Sequence, residues 1–503
     1  MSGAGMLMPH LPYDAEETLE SFVRRLASFH TGRDAQTLLA DLRIERNSFL
    51  AGSTEAIVTL AAASGVAPDI LMGAAVRRFA RHREFRGERW SGDFVRAEGE
   101  LICPKCLAED AVDGRGWMLK GRISWRLRSV LTCVDHDCRL VPPPVPGEIA
   151  SAFQQLAAGE GVRIMAQSPS DLELAISKRL ARLPTGAGDW MDGQTVEQGA
   201  RACEMIGATL LHGLTFEHKS FSPEDWQRAG AMGFEFARLG EEIVLEALSC
   251  VAALATTTAG QAGPKAIYGR IYEWLAYSSP AVDPGPIRVL LREHILNSMV
   301  IEPGQLLLGE RVEGRRLHSV HSLSKWSGLH RKRLRKILVQ AGMASDDSWD
   351  IAANRLVFPA EEAEQLCRGV LHGVSLHDVP NVIGCSRSQA ESLFQDGVLR
   401  SAIPLDPRYG IGKLTFAKRD LKTLLQRLEP LPLVSEDCQQ IVNLVNAAKR
   451  TGLRTGLVMK GVLSGEVPAS RIGGDLALRN IRFRLADLDP IRTRRPPSAV
   501  HPG

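Results

Sequence analysis

Apolar residues recur at helical spacing along most of this chain. Leu19, Phe22, Val23 and Leu26 form a stripe behind Asp14 and Glu17, which have capping-box spacing, so the chain is predicted to open with a helix. A second helix is predicted over Glu55 to Ala63. After a turn at Gly65-Val66, Pro68-Asp69 opens a third that carries Ile70, Leu71, Ala74, Ala75 and Phe79. Pro142-Pro143-Pro144 and Pro146-Gly147 make a stiff boundary. Beyond it the pattern reads as helices to about Asn297, broken at Pro184 to Asp189, Gly213, Ser222-Pro223 and Pro280 to Pro286. Trp190, Trp226, Trp274 and Cys203 are expected in the core of that stretch. The longest apolar run, Ile243 to Ala255, contains Glu246 and is too short to span a bilayer.

The C-terminal third repeats a pattern. One copy runs from Ser324-Lys325-Trp326-Ser327-Gly328-Leu329-His330 through Arg331 to Gly342. A second runs from Val382-Ile383-Gly384-Cys385-Ser386 to Gly397, and a third from Lys449-Arg450-Thr451-Gly452-Leu453-Arg454 to Gly465. In each, a short apolar helix meets a glycine turn, a second helix follows, and another glycine ends it. A strand with a basic start comes next (Arg355 to Phe358, Lys413 to Phe416, Arg482 to Leu485), which places Phe358, Phe416 and Phe483 in comparable positions. This is the order of a helix-turn-helix followed by a small wing. In the first copy Leu334, Ile337 and Leu338 are predicted to face inward. Arg331, Lys332 and Arg335 are predicted to project outward near the helix N-terminus, the end that enters a major groove. In the second, Ser386 is the expected N-cap, and Arg387, Ser388 and Gln389 stand where base edges would lie. Packing of these helices on another protein is the competing expectation for all three copies.

At 503 residues and 44% hydrophobic content, the chain can bury several cores, about three to five domains by length. The net charge of +3 is uninformative, but its distribution is not. Arg77, Arg78, Arg81, Arg83, Arg86 and Arg89 form one cluster; Arg331, Lys332, Arg333, Arg335 and Lys336 form another. Arg479, Arg482, Arg484, Arg492, Arg494 and Arg495 form a third. Local basic clusters in a nearly neutral protein are what phosphate contact requires, so double-stranded DNA is the expected partner, with Arg454 a further candidate contact. Nine cysteines form no even framework, and no cationic, apolar, cleavable leader opens the chain. The expectation is a soluble, cytoplasmic protein of a reducing compartment, with no membrane segment.

Chemistry concentrates in two pairs, Cys103-Pro104-Lys105-Cys106 and Cys133-Val134-Asp135-His136. Two ligands separated by two residues reach one ion from a single tight turn, and two such turns complete a tetrahedron. Filled by four protein groups, the site would leave no position for water, so one structural Zn2+ with no chemistry is expected. On spacing alone, Cys138 competes with His136 as fourth ligand.

Two stretches together resemble the TniQ family, to which TnsD-type target selectors of bacterial transposons also belong. The first is Pro12-Tyr13-Asp14-Ala15-Glu16-Glu17-Thr18-Leu19-Glu20-Ser21-Phe22-Val23-Arg24-Arg25-Leu26-Ala27. The second is Cys103-Pro104-Lys105-Cys106-Leu107 with Glu109-Asp110, then Trp125-Arg126 and Cys133 to His136, closing at Leu140. The resemblance implies that Cys103, Cys106, Cys133 and His136 are the zinc ligands, favouring His136 over Cys138. Many relatives continue into a further Cys-x-x-Cys pair, whereas here the chain runs into Val141-Pro142, so a second zinc is not expected. The implied role is to mark an insertion site and bring it to an AAA+ ATPase regulator, which recruits the transposase. Some members read DNA through C-terminal helix-turn-helix modules, and others sit on an RNA-guided CRISPR effector complex.

Other classes fit less well. His82-Arg83-Glu84 lies upstream of a Cys-x-x-Cys, as in the zinc nucleobase deaminases, but Ile102 replaces the proline those enzymes place before the first cysteine. No Gly-rich phosphate loop is present, so the chain is not itself the ATPase. No catalytic residue is assigned. A zinc-stabilised transcription regulator with several helix-turn-helix modules is the alternative function. The expected architecture is mainly α and multidomain. It has an N-terminal helical, helix-turn-helix-like part (1–92), a zinc-ribbon-like insert (93–146) and a helical middle (147–304). Three winged helix-turn-helix modules (305–370, 371–432, 433–495) and a disordered tail (496–503) complete it.

Overall fold

The computed structural model describes residues 5–111, 115–144, 149–256, 262–277, 283–402, 414–435 and 440–492. Expectations placed on Pro146-Gly147, Pro280, Lys413, Arg494, Arg495 and the tail 496–503 fall outside these residues, as does the side chain of Arg492. The protein is mainly α and divides into two compact units. One comprises Met1–Asn297 with Gln305–Arg311, the other Ser298–Gly304 with Val312–Gly503. Among the described residues no helix is long and apolar enough to cross a membrane.

The first unit opens with α1 (Leu19–Thr31), α2 (Ala35–Asp41), α3 (Arg46–Leu50), α4 (Thr54–Ser64) and α5 (Pro68–Ala74). Leu19, Phe22, Val23 and Leu26 are all buried in one core with Ile57, Leu60 and Leu71. The helix starts later than the capping-box spacing suggests. Thr18 is the N-cap, its hydroxyl accepting from Ser21 N–H. Glu17 is fully buried, with its carboxylate taking Arg25 Nη1 at 2.5 Å and the Ser21 hydroxyl at 2.7 Å. A buried carboxylate with a dedicated cation cannot also serve as an exposed cap.

The expected extension of α5 through Ala75 to Phe79 does not form. Ala75 is already extended (φ −76°, ψ 126°), and the chain turns into a three-stranded antiparallel sheet, β1 (Arg77–Arg78), β2 (Arg83–Phe85) and β3 (Glu88–Trp90). Phe79 stacks on His82 across the β1–β2 turn, with ring centroids 4.6 Å apart. The cluster of arginines there is therefore a basic hairpin sheet rather than a helix face. Arg86 is not one of its free cations, since its guanidinium donates to the carbonyls of Leu180 and Ala15.

The next segment contributes α6 (Pro104–Asp110) and a hairpin, β4 (Thr132–Cys133) with β5 (Cys138–Arg139). It is sewn to the opening helices by hydrogen bonds. Thr18 N–H donates to Gly121 O, Ile123 N–H to Glu16 O, and Gly121 N–H to the Ser21 hydroxyl. Arg96, its pKa pushed down to about 10 by burial, donates to the carbonyls of Leu127, Arg128 and Val130.

The remainder of the first unit is helical: α7 (Ile149–Ala157), α8 (Asp171–Leu180), α9 (Gly188–Asp192), α10 (Val196–His212), α11 (Pro223–Ala237), α12 (Glu241–Ala253), α13 (Pro264–Tyr277) and α14 (Ile287–Ser298). The predicted breaks at Gly213 and Ser222-Pro223 are the end of α10 and the capped start of α11. These two helices pack backbone to backbone, because a Cβ on Gly207 would collide with Ala229 O and one on Gly233 with Cys203 O. The hairpin β6 (Leu306–Leu307) and β7 (Glu310–Arg311) belongs to this unit too, held by Arg292 Nη1 on Leu307 O at 2.7 Å.

The second unit repeats one topology three times. The first copy is β8 (Leu317–Ser319), α15 (Val320–Ser327), α16 (Arg331–Gln340), β9 (Val357–Pro359) and α17 (Ala360–Leu371). The second is β10 (Val374–Ser375), α18 (Val379–Ile383), α19 (Arg387–Gln395), β11 (Thr415–Phe416) and α20 (Lys418–Gln426). The third is β12 (Ile441–Asn443), α21 (Leu444–Thr451), α22 (Thr455–Ser464), β13 (Ser470–Arg471), β14 (Ile481–Arg484) and α23 (Leu485–Arg492). Gly328, Gly384 and Gly452 end the first helix of each copy at φ 72°, 64° and 66°. Only the left-handed region turns the chain within the two residues before the next N-cap, and glycine enters it without steric cost. Phe358, Phe416 and Phe483 are all buried and pair with His318, Val374 and Val442. The strand after the second helix pairs back onto the strand before the first helix, closing the copy, and only the third copy adds a described hairpin partner, β13.

Removing the guanidinium from beneath Glu17 leaves a fully buried carboxylate without its cation. Arg25→Ala is expected to cost about 3–5 kcal/mol of first-unit stability, read as a lowered denaturation midpoint.

Candidate metal centre and nucleic-acid interface

Cys103 is the N-cap of α6, and its Sγ accepts from Cys106 N–H at 3.5 Å. Pro104 at the first helical position presets the turn that puts Cys106 on the same side. Cys133 ends β4, and His136 sits in the turn before β5, where Asp137 takes φ 45°. The two turns are brought together by backbone: Ile102 N–H donates to Val141 O (2.9 Å) and Val141 N–H to Ile102 O (2.8 Å), next to Cys103 on one side and just past the hairpin that carries Cys133 and His136 on the other.

The result is a closed set. The ligand atoms of Cys103, Cys106, Cys133 and His136 all lie within 4.8 Å of one another. His136 Nδ1 is 3.7, 3.2 and 3.5 Å from the sulfurs of Cys103, Cys106 and Cys133, and the Cys106 and Cys133 sulfurs are 3.5 Å apart. One ion can touch all four. The other ring nitrogen, Nε2, is 2.8 Å from Glu109, so a carboxylate fixes the tautomer that leaves Nδ1 free as ligand. Cys138, opposite Cys133 in the hairpin, is not in the set. Burial first, then the neighbouring Cys103, push its thiol up to about 12, and its Sγ lies 3.5 Å from Cys103 Sγ. His82 is likewise not in the cluster; its ring pairs with Glu84.

Three buried carboxylates that no motif signals hold this centre and the sheet that precedes it. Glu173 on α8 is fully buried and accepts from the N–H groups of Leu131 (2.7 Å) and Thr132 (3.0 Å), fixing β4. Glu197 and Glu204 on α10 accept from Ser91 and Ser129. The helical middle thus buttresses the metal segment with buried carboxylates from remote parts of the sequence. Trp190 and Cys203 are buried there as expected. Trp226 and Trp274 instead line a cleft of about 550 Å³ with Arg201, which lies 2.8 Å from Asp93 and 3.7 Å from both Glu197 and Glu204.

In the second unit the candidate DNA contacts separate into two groups. On α16, Leu334, Ile337 and Leu338 are buried, and Arg331, Lys332 and Arg333 are exposed on the first turn, with Lys336 half-buried beyond them. Arg335 is a correction. It is 8% exposed, its guanidinium donates to the carbonyls of Ser348 (3.1 Å), Trp349 (2.6 Å) and Ile351 (2.7 Å), and it lies over the Trp349 ring. Its place beside Leu334 and one turn before Leu338 puts it on the edge of the inward stripe. On α19, Ser386 is the N-cap and Arg387 and Ser388 are exposed, Arg387 pairing with Glu391 at 3.1 Å. Gln389 is also corrected: it is 8% exposed, and its carbonyl oxygen accepts from Ser386 N–H in a capping box, so it does not reach outward. Arg454 is spoken for by Asp396 of the preceding copy.

Two outcomes follow from this geometry. Cys106→Ser or Cys133→Ser should lower bound metal from about one ion per chain to near zero and expose the segment to proteolysis, because binding there is coupled to folding; metal analysis of purified protein checks it. Arg335→Ala should leave the Trp349 and Ile351 carbonyls without their donor, Ser348 O keeping the N–H of Ile351, and cost about 2–3 kcal/mol; Arg335→Lys should not restore it, since an ammonium lacks the fork that reaches all three carbonyls, and thermal denaturation checks it.

The family model TniQ matches residues 8–140, which span α1, the basic hairpin sheet and all four cluster ligands. No curated protein matches the chain. Over residues 8–140 the chain is therefore similar to the TniQ family.

Proposed function

We propose that this protein is a non-catalytic target-selection adaptor of a transposition system. In this reading it binds double-stranded DNA through its second unit and recruits an ATPase regulator, and through it the transposase, with its TniQ domain. The observation that carries the reading is a TniQ domain whose four-ligand cluster is closed and fully protein-supplied. TniQ domains are associated with target-selection adaptors of transposition.

Zinc is the metal this cluster suits. Tetrahedral zinc with sulfur at about 2.3 Å and nitrogen at about 2.0 Å sets ligand-to-ligand edges of about 3.5–3.8 Å, close to four of the six spacings here, 3.2–3.7 Å, all six lying within 4.8 Å. Three thiolates and one imidazole are borderline-soft donors, and with no position left for water the ion's work is structural. The DNA assignment rests on α16. Three consecutive exposed cations occupy its first turn, and its apolar side is anchored in the core of the first copy. That is the arrangement by which a second helix enters a major groove end-on.

Replacing Arg331, Lys332 and Arg333 together by Ala should weaken duplex binding and reduce the slope of log affinity against log salt by about 0.9 for each phosphate left unneutralised. An unchanged slope would assign α16 to protein contact. Pull-down with an AAA+ ATPase encoded next to the gene, with and without target duplex, tests the recruitment half, and no retention in either arm would remove it.

A further inference from the structure

The three C-terminal copies share a topology, but the second and third are not separate bodies. Their apolar residues form one core, in which Val379, Ile383, Leu393, Phe416 and Leu421 pack with Leu444, Val458, Met459, Phe483 and Leu488. The contact is made where two independent readers would keep their ends free. The first turn of α22 abuts the last turn of α19: Gly456 N–H donates to the Ser392 hydroxyl at 2.9 Å, and Arg454 pairs with Asp396, whose side chain is 1% exposed. A Cβ on Gly456 would stand 2.4 Å from Ser392 O and 2.5 Å from Asp396 Oδ2, so no other residue fits. A second seam lies at the turn of the second copy. Arg479 N–H donates to Gly384 O at 2.8 Å, and a Cβ on Gly384 would stand 2.4 Å from the Ala477 Cβ. A third joins the exit of α20 to β13, where Arg471 N–H donates to Pro432 O and Val434 N–H to Arg471 O.

The side chains differ in keeping with this. The opening of α16 offers Arg331, Lys332 and Arg333 to solvent, and that of α19 offers Arg387 and Ser388. The opening of α22 reads Thr455-Gly456-Leu457-Val458-Met459, with Gly456, Val458 and Met459 buried and Leu457 the exposed residue of the run. An end closed by contact and poor in polar groups has nothing to place against base edges.

We infer that the third copy is a brace that sets the position of α19, and that Arg454 is a positioning residue, latching Asp396, rather than a contact to DNA. The second and third copies then act as one reading head with a single open helix end. This rests on the DNA-binding reading for its consequence but not for its test.

Hydrogen exchange on the full chain without DNA reads the latch directly. Arg454→Ala is expected to raise exchange of the Gly456 amide and of the α19 amides from Leu393 to Asp396 by about tenfold or more, since Asp396 is left buried without its cation. Arg454→Lys should recover part of that protection. Gly456→Ala should give the same pattern as Arg454→Ala, and Arg387→Ala should not. In salt titrations with duplex DNA, Arg387→Ala should lower the slope by about 0.9, and Arg454→Ala should weaken binding with the slope unchanged. A slope lowered by about 0.9 in Arg454→Ala, with α19 and α22 exchange unaltered, would overturn the inference and make Arg454 a phosphate contact. Exchange and slope both unaltered would overturn it as well. If the wild-type chain fails to bind duplex at low salt, the DNA reading falls, and the exchange result still decides the brace.

Discussion

Four potential ligand atoms, three sulfurs and one imidazole nitrogen, converge to within 4.8 Å of one another in the first unit. Such a cluster is unstable as bare thiolates, whose charges repel, and weak as neutral thiols, which make poor hydrogen bonds; a shared cation resolves both. The surroundings are built for that convergence. The Ile102–Val141 pairing aligns the two turns, Glu109 orients the imidazole, and Glu173 fixes the strand that carries Cys133. The helices before the cluster lean on it in turn, since Thr18, Ser21 and Arg25 of the opening helix region bond to Gly121 and Trp117.

Arginine serves two distinct purposes in this chain, and the difference is geometric. Arg25, Arg86, Arg96 and Arg335 are internal: each turns its fork of donors onto a buried carboxylate or a set of loop carbonyls. Arg331, Lys332 and Arg333 are external and stand on one helical turn. A count of positive residues mixes the two populations. Several arginines that look like surface charge in the sequence are structural staples holding irregular backbone together.

The helical middle of the first unit also has a role that follows from its contacts. Buried carboxylates on α8 and α10 reach across to Leu131 N–H and the Ser129 hydroxyl of the metal segment and to Ser91 at the end of the basic sheet, so the middle supports both. The repeated C-terminal copies are joined differently. One topology is used three times, yet the first has its own core and the other two share one, because small residues at Gly384 and Gly456 let their backbones meet.

The four residues of the metal-competent cluster and the three copies were legible in the sequence because both are local: a two-residue spacing needs one turn, and a glycine two residues before an N-cap needs one left-handed backbone angle. The aromatic residues of the closing strands were legible for the same reason. What tertiary structure decided was the fate of polar residues whose partners lie far away in the chain. Spacing places Gln389 and Arg335 on helices but cannot tell outward from inward at the edge of an apolar stripe. There the carbonyls of Ser348, Trp349 and Ile351 and the capping bond at Ser386 settled the direction. The Arg77–Trp90 sheet in place of a longer helix, the buried pair Glu17–Arg25 and the latch Asp396–Arg454 belong to the same class. Each depends on desolvation and on a partner brought near only by folding, and none leaves a periodic trace in the residues themselves.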